Sequence, residues 1–210
     1  MPMLTKLDLK KELKHLYQPT AEDFTLIDVP PMHFLMIDGA GDPNTSQEYQ
    51  DAVQALYSVS YTLKFAIKKA RQIDYPVMAL EGLWWTADMR TFSAERKGDW
   101  LWTMMMMQPA PVMAEDVAAA LEEIRRKKGL AAVERVRFER FHEGLAVQIM
   151  HIGSYADEAP TLRRLHDEYL PSHGYVATGK HHEIYLSDPR RSPPEKWKTV
   201  LRQPVRKVGG

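Results

Sequence analysis

Two short stretches of the chain set a carboxylate among aromatic rings. In HHEIYLSDPRR, His181 to Arg191, Glu183 and Tyr185 stand two residues apart; in EGLWW, Glu81 to Trp85, the residues Glu81, Leu83 and Trp85 alternate. Side chains alternate across a strand, so each stretch, if extended, aims a glutamate and an aromatic to one side, with Ile184 and Leu186 on the other side of the first. A carboxylate buried against aromatics loses hydration, which disfavours its charged form and raises its pKa. Such a group can serve as a general acid or base, or as the counter-ion of a cation lying against ring faces. Both uses need a pocket for something apolar and polarisable. The structural alternative for Glu81 or Glu183 is pairing with an arginine at a sheet edge.

Other chemistries find little support. His181 and His182 are adjacent on the expected strand, so they point to opposite faces and cannot chelate one ion together. No HxxxH or HExxH spacing occurs, and neither a metal nor a cofactor is expected. The GAGDPN turn, Gly39 to Asn44, is not followed by GK[ST], which removes a phosphate loop. With no cysteine there are no disulfides, thiolate nucleophiles or cysteine-rich zinc sites. The 28 basic residues balance 28 acidic ones, so no net field attracts nucleic acid or an anionic membrane. No run approaches the ~18 apolar residues of a membrane span, and MPMLTKLDLKKELKHLY is not a signal peptide. The compartment is most simply the cytoplasm. Oligomeric state is not legible.

The elements that would position the two glutamates follow from periodicity. Leu9, Leu13 and Leu16 predict an amphipathic helix over about residues 6–17. Strands are expected at Phe24–Val29 and His33–Asp38. A capping box of Thr45 and Glu48 then starts a long helix with a stripe from Tyr49 to Ala70. Val77–Trp85 reads as a strand, and Thr86–Asp99 as a polar loop. In DWLWTMMMMQP, alternation puts Trp100, Trp102, Met104 and Met106 on one face of a strand apolar on both sides. This is core, or an adaptable wall for varied ligands. Pro109 and Pro111 mark a boundary, and a helix from Ala114 to Lys128 stops at Gly129. Strands over Val133–His142 and Leu145–Ile152 precede a helix capped by Asp157 with Pro160 in its first turn. His151 and Tyr155 lie where strand enters turn, near the expected mouth of a cleft, although a hydrogen-bonded structural role is the plainer reading of His151. The basic tail, residues 189–210, is expected to pack across the surface.

The halves repeat an order: FLMIDGAGD, helix, EGLWW against VQIMHIGSYAD, helix, HEIYL, with the glutamates 183 − 81 = 102 positions apart. This predicts an α+β fold in one domain spanning residues 1–210, built from duplicated β-α-β-β units at about 22–108 and 109–188. The units would form a mainly antiparallel sheet with two long helices on one face and a central cleft on the pseudo-twofold axis.

The stretches DPNTSQEYQ, SVSYTLKF, ALEGLWW, VRFERFHEG, HIGSYADEAPTLRRLH and GKHHEIYLSDPRRSPPEKWKTVLRQPV resemble the GyrI-like small-molecule-binding domain family. They are most similar to its stand-alone bacterial members, and less so to the effector-binding domains of multidrug-responsive regulators. The resemblance implies a hydrophobic, aromatic cleft that takes bulky, flat compounds, cationic or electrophilic. It also implies, for some stand-alone members, hydrolysis of cyclopropane rings in DNA-alkylating compounds, which is a detoxification. The family's key glutamate falls on Glu183, the expected catalytic base. Ligand-binding positions are expected among Glu81, Trp84, Trp85, Trp100, Trp102, Tyr155, Tyr185 and His151, and strand parity forbids Trp84 and Trp85 from both facing the cleft. The alternatives are a drug-sequestering protein without turnover, or a protein-interaction role such as gyrase inhibition.

Overall fold

Hydrophobic alternation gathers most strands of the chain into a single sheet. The computed structural model describes residues 3–89 and 94–209. In chain order the first half comprises β1 (Thr5–Lys6), α1 (Leu9–Glu12), α2 (Lys14–Tyr17), β2 (Thr25–Val29), β3 (Met32–Ala40), α3 (Gln47–Arg71), β4 (Ile73–Asp74), β5 (Leu80–Trp85) and β6 (Leu101–Gln108). The second comprises α4 (Ala114–Lys128), β7 (Arg137–Phe141), β8 (Gly144–Ile152), α5 (Ala159–Arg163), α6 (Leu170–Ser172), β9 (Tyr175–Ala177), β10 (His181–Tyr185) and β11 (Lys198–Lys207). The main sheet runs β2-β8-β11-β10-β5-β6-β3-β7, with β9 also on β11. Neighbouring strands in it are antiparallel. Outward from the central β10–β5 pair, both sides have the same layout. On one side β6 lies between β5 and β3; on the other β11 lies between β10 and β8.

The helix α3 covers one face of this sheet. Ala52, Leu56, Val59, Leu63 and Ile67 are buried, at the spacing of one helical stripe. Its cap is Ser46, whose hydroxyl accepts from the Tyr49 amide, and not Thr45. It ends where Gln72 turns left-handed at φ 56°. The same face carries the second helical stretch, which is shorter than α3 and uneven: α5 passes through a wider π-helical segment, Arg164–Tyr169, into α6. Leu165 and Leu170 from this stretch bury against Val147 and Val205 of the sheet. The opposite face is crossed by the N-terminal segment, where Leu9, Leu16 and Tyr17 enter the core. The single helix expected over residues 6–17 is two short ones, broken at Leu13.

The tail expectation is overturned. Residues 198–207 do not pack across the surface; they form a long strand between β8 and β10. Arg202, only 1% exposed, is tolerated there because Glu143, Gln148 and the Leu16 carbonyl take its guanidinium hydrogens. Pro204 pairs with Ala146 of β8 and accepts from the Thr178 amide on its other side; the Thr178 carbonyl, which a proline cannot serve, takes the Gln203 side-chain amide instead. Val133–Arg135 belongs to a 3-10 turn, so the strand after α4 begins only at Arg137. Part of the predicted polar loop, residues 90–93, lies outside the described residues.

Candidate ligand cleft and active site

Strand register decides which chemistry-bearing side chains meet. Glu183 pairs with Gly82 and Ile184 with Glu81, so the two glutamates project from opposite faces of the sheet. On the α3 face, the floor strands present His181, Glu183 and Tyr185 from β10, and Leu80 and Trp84 from β5. Gly82, opposite Glu183, lets Trp84 and Tyr185 close over the strand; a Cβ there would lie 2.6 Å from Trp84 Nε1 and 3.2 Å from the Tyr185 hydroxyl. The cleft between α3 and the second helical stretch stands above this floor. It belongs to a space of about 2320 Å³ whose lining reaches round the strand ends to Tyr17 and Pro19.

A relay of hydrogen bonds crosses the floor. The indole N–H of Trp84 donates to the Tyr185 hydroxyl at 2.9 Å, and that hydroxyl donates to Glu183 Oε2 at 2.7 Å. His181 Nε2 stands 3.4 Å from the other oxygen, Oε1. Burial and then the charge of Glu183 raise the pKa of Tyr185 well above its ordinary value, which keeps its proton in place as a donor. Aromatic rings wall the site. Trp100 meets Trp84 edge-on at 5.4 Å, and Tyr49 lies 6.1 Å from Trp84. Tyr155, at the rim, meets Tyr185 edge-on at 5.6 Å and tilts against Trp197 at 4.9 Å.

Of the residues expected in the cleft, Glu183, Tyr185, Trp84, Trp100 and Tyr155 line it together. Four do not. Trp85 is on the opposite face, with the Lys180 ammonium 3.3 Å over its ring. Trp102 points to the cleft face but is fully buried beneath it, over Gly39, with Tyr49 edge-on at 5.4 Å. His151 is 8% exposed, and its Nε2 pairs with the Ser154 carbonyl at 3.1 Å inside the Gly153 turn. Glu81 is 1% exposed on the far face.

There Glu81 belongs to a buried network. It accepts from the Tyr17 hydroxyl at 2.6 Å and faces His182 Nε2 at 3.0 Å, while His182 Nδ1 faces Glu143 Oε1 at 2.9 Å. Arg202 reaches Glu143 at 3.0 Å. Burial works against charge on His182, but Glu143 and Glu81 outweigh it and raise the pKa to about 9. Burial would raise Glu143, but His182 and Arg202 hold it down at about 2. This network ties the floor strand β10 to β11 and to the N-terminal segment.

Sequence reasoning passed over Glu158 and Tyr49. Glu158 comes from the turn before α5 and lines the cleft at 4% exposure. Burial and the charge of Glu183 push its pKa up to about 10, against smaller opposing effects of Thr199 and Lys97. Nothing local marks it, because a glutamate ahead of Ala-Pro reads as a helix start. Tyr49 was legible as part of the α3 stripe but not as a wall. Among the described residues no cluster of three histidine, aspartate or glutamate side chains could hold a metal, and no helix is long and apolar enough to cross a membrane.

The comparisons with known proteins agree on the fold. An uncharacterised conserved protein of Listeria innocua is 41% identical over 96% of this chain and all of its own, with a TM-score of 0.88. A protein described as a hydrolase from Listeria innocua is 40% identical over the same shares, with a TM-score of 0.85. The C-terminal domain of EcmrR, 12% identical over 89% of this chain and 98% of its own at a TM-score of 0.54, shares the fold alone. No curated protein matches the chain. The sequence profile of the GyrI-like small molecule binding domain matches residues 22–206, nearly the whole of the described fold, and the chain belongs to that family.

Proposed function

We propose that the protein binds bulky, flat hydrophobic compounds in the aromatic cleft and hydrolyses reactive cyclopropane-type alkylators there, with Glu183 as the catalytic base. The observation that carries this reading is the Trp84–Tyr185–Glu183 relay on a floor walled by aromatics. Tyr185 holds Oε2 at 2.7 Å, while Oε1 has only the longer 3.4 Å approach of His181 Nε2 and is the oxygen that draws a proton from water. As that water attacks the strained carbon, Glu183 takes its proton, and the ring walls hold the flat substrate in line. The Listeria innocua relative described as a hydrolase supports hydrolysis of some kind. The same carboxylate among aromatics also suits a cation, which favours binding without turnover as the second reading.

The test is a time course of a cyclopropane-bearing alkylator with catalytic amounts of protein, wild type against Glu183→Gln. Ring-opened product beyond one equivalent, lost in the variant, is the expected result. Binding without turnover in both proteins would leave a drug-sequestering module. Turnover unchanged in the variant would remove Glu183 from the chemistry.

A further inference from the structure

Glu158 enters the cleft from a different element than Glu183 and in a different state of pairing. It follows the Tyr155–Asp157 turn and stands just before α5, where its side chain makes no capping bond. The residue is 4% exposed and lines the cleft, and its Oε1 has no hydrogen-bond partner among the described residues. The groups acting on it come from every side: Glu183 and Tyr185 on β10, Thr199 on β11, Tyr155 in its own turn, and Lys97 from the 94–99 turn. Two carboxyl groups facing one low-dielectric cavity do not both ionise readily. Glu183 has the Tyr185 hydroxyl on one oxygen and His181 near the other, whereas Glu158 has only Thr199 to draw on and its Oε1 is unpartnered among the described residues. Of the two carboxyl groups, Glu158 is therefore the one placed to keep a proton.

We propose that Glu158 is a second ligand-contacting acid of the cleft, a neutral carboxyl that donates to an oxygen acceptor on the ligand while Glu183 accepts. The cleft then has one donor wall and one acceptor wall, and it selects flat compounds whose strained ring is conjugated to a carbonyl. This deepens the hydrolase reading and rests on it for the chemical step. Water oxygen bonds to the ring carbon as Glu183 takes the water proton. The ring C–C bond breaks, and its electron pair moves through the conjugated system to the carbonyl oxygen, which takes the proton of Glu158. The net change is addition of one water. Proton exchange with solvent restores both carboxyl groups.

Two measurements test this, one without any ligand. In a carbon-13 NMR titration of the glutamate carboxyl carbons, one resonance should titrate far above the ordinary carboxylate range and vanish in Glu158→Gln. Titration of every glutamate in the ordinary range overturns the proposal. The second uses acridone, a flat neutral carbonyl compound, with wild type, Glu158→Gln, which keeps a donor, and Glu158→Leu, which does not. Affinity should hold in Gln and fall about 10-fold in Leu, the worth of a buried hydrogen bond. Equal affinity in all three, or none in the wild type, overturns it. For turnover, wild type should lose kcat at high pH, and Glu158→Gln should lower kcat on the order of 100-fold with KM little changed and remove that high-pH loss. A structural role would move KM and leave that limb in place. If wild type turns nothing over, the hydrolase reading fails, while the titration and the acridone series still decide the donor role.

Discussion

Replacing Glu143 by Gln probes the buried network under the cleft floor. Both side chains of the Glu143–His182 pair are 1% exposed and meet at 2.9 Å. The pKa of His182 rises from 6.5 to about 9, and that of Glu143 falls from 4.5 to about 2. Each shift is the net of burial, the mutual attraction of the pair, and the added pull of Glu81 on His182 and of Arg202 on Glu143; at ~1.4 kcal/mol per pH unit the network's charge pairing is worth on the order of 3 kcal/mol. The substitution also leaves Arg202 without its buried carboxylate, and removing one member of such a pair costs about 3–5 kcal/mol. Because the folded pKa of His182 lies above its unfolded value, its contribution is complete below about pH 6.5 and vanishes as pH rises through about 9. The Glu143 contribution is complete above about pH 4.5 and vanishes as pH falls through about 2. Urea denaturation of wild type and variant should therefore show the full loss near neutral or mildly acidic pH, with an unchanged m-value. The difference should shrink in buffers above about pH 9. A loss under about 1 kcal/mol, or one that persists unchanged at high pH, would refute the charge accounting.

Three further outcomes follow from the same geometry. Gly82→Ala puts a methyl group 2.6 Å from Trp84 Nε1, so the relay must shift; a cost of about 1–3 kcal/mol in denaturation and weaker ligand binding in fluorescence titration are expected. Tyr17→Phe removes the 2.6 Å bond to buried Glu81 and should cost about 1.5–3 kcal/mol by urea denaturation, while leaving the cleft relay in place. Glu158→Gln should raise the thermal midpoint at neutral pH. The folded carboxyl holds a proton that the unfolded chain releases above about pH 4.5, a penalty of ~3 kcal/mol at pH 7 that disappears toward pH 4.

What was legible depended on the range of the pattern. Parity within one strand separated His181 from His182 and joined Glu183 to Tyr185, because alternation is local. The facing of α3 and the four-residue run Trp100, Trp102, Met104 and Met106 were readable for the same reason. Register was not. Whether Gly82 or Glu81 sits opposite Glu183 depends on pairing between strands about 100 residues apart, and a slip of one residue exchanges the faces. That slip is why Glu81 and Trp85 looked like cleft residues. The strand over residues 198–207 was concealed by Arg202, whose charge reads as surface until Glu143 and Gln148 are seen to enclose it. Glu158 was hidden in a turn, where no periodicity reports which way a side chain points.

The position of β11 has a consequence for how the protein assembles. It separates two strands that precede it in the chain, so β8 and β10 each present an unsatisfied edge until residues 198–207 insert between them. Such edges pair readily with other chains, which makes the partly folded state prone to aggregation. Insertion also closes the ends of the network, since Arg202 arrives with this strand, and it brings Thr199 beneath Glu158. The cleft floor and its supporting charges are thus completed by one long-range pairing, that of β11 with β8 and β10. A chain that ended before residue 198 would keep the floor strand β10 but lack the neighbour that pairs its second edge.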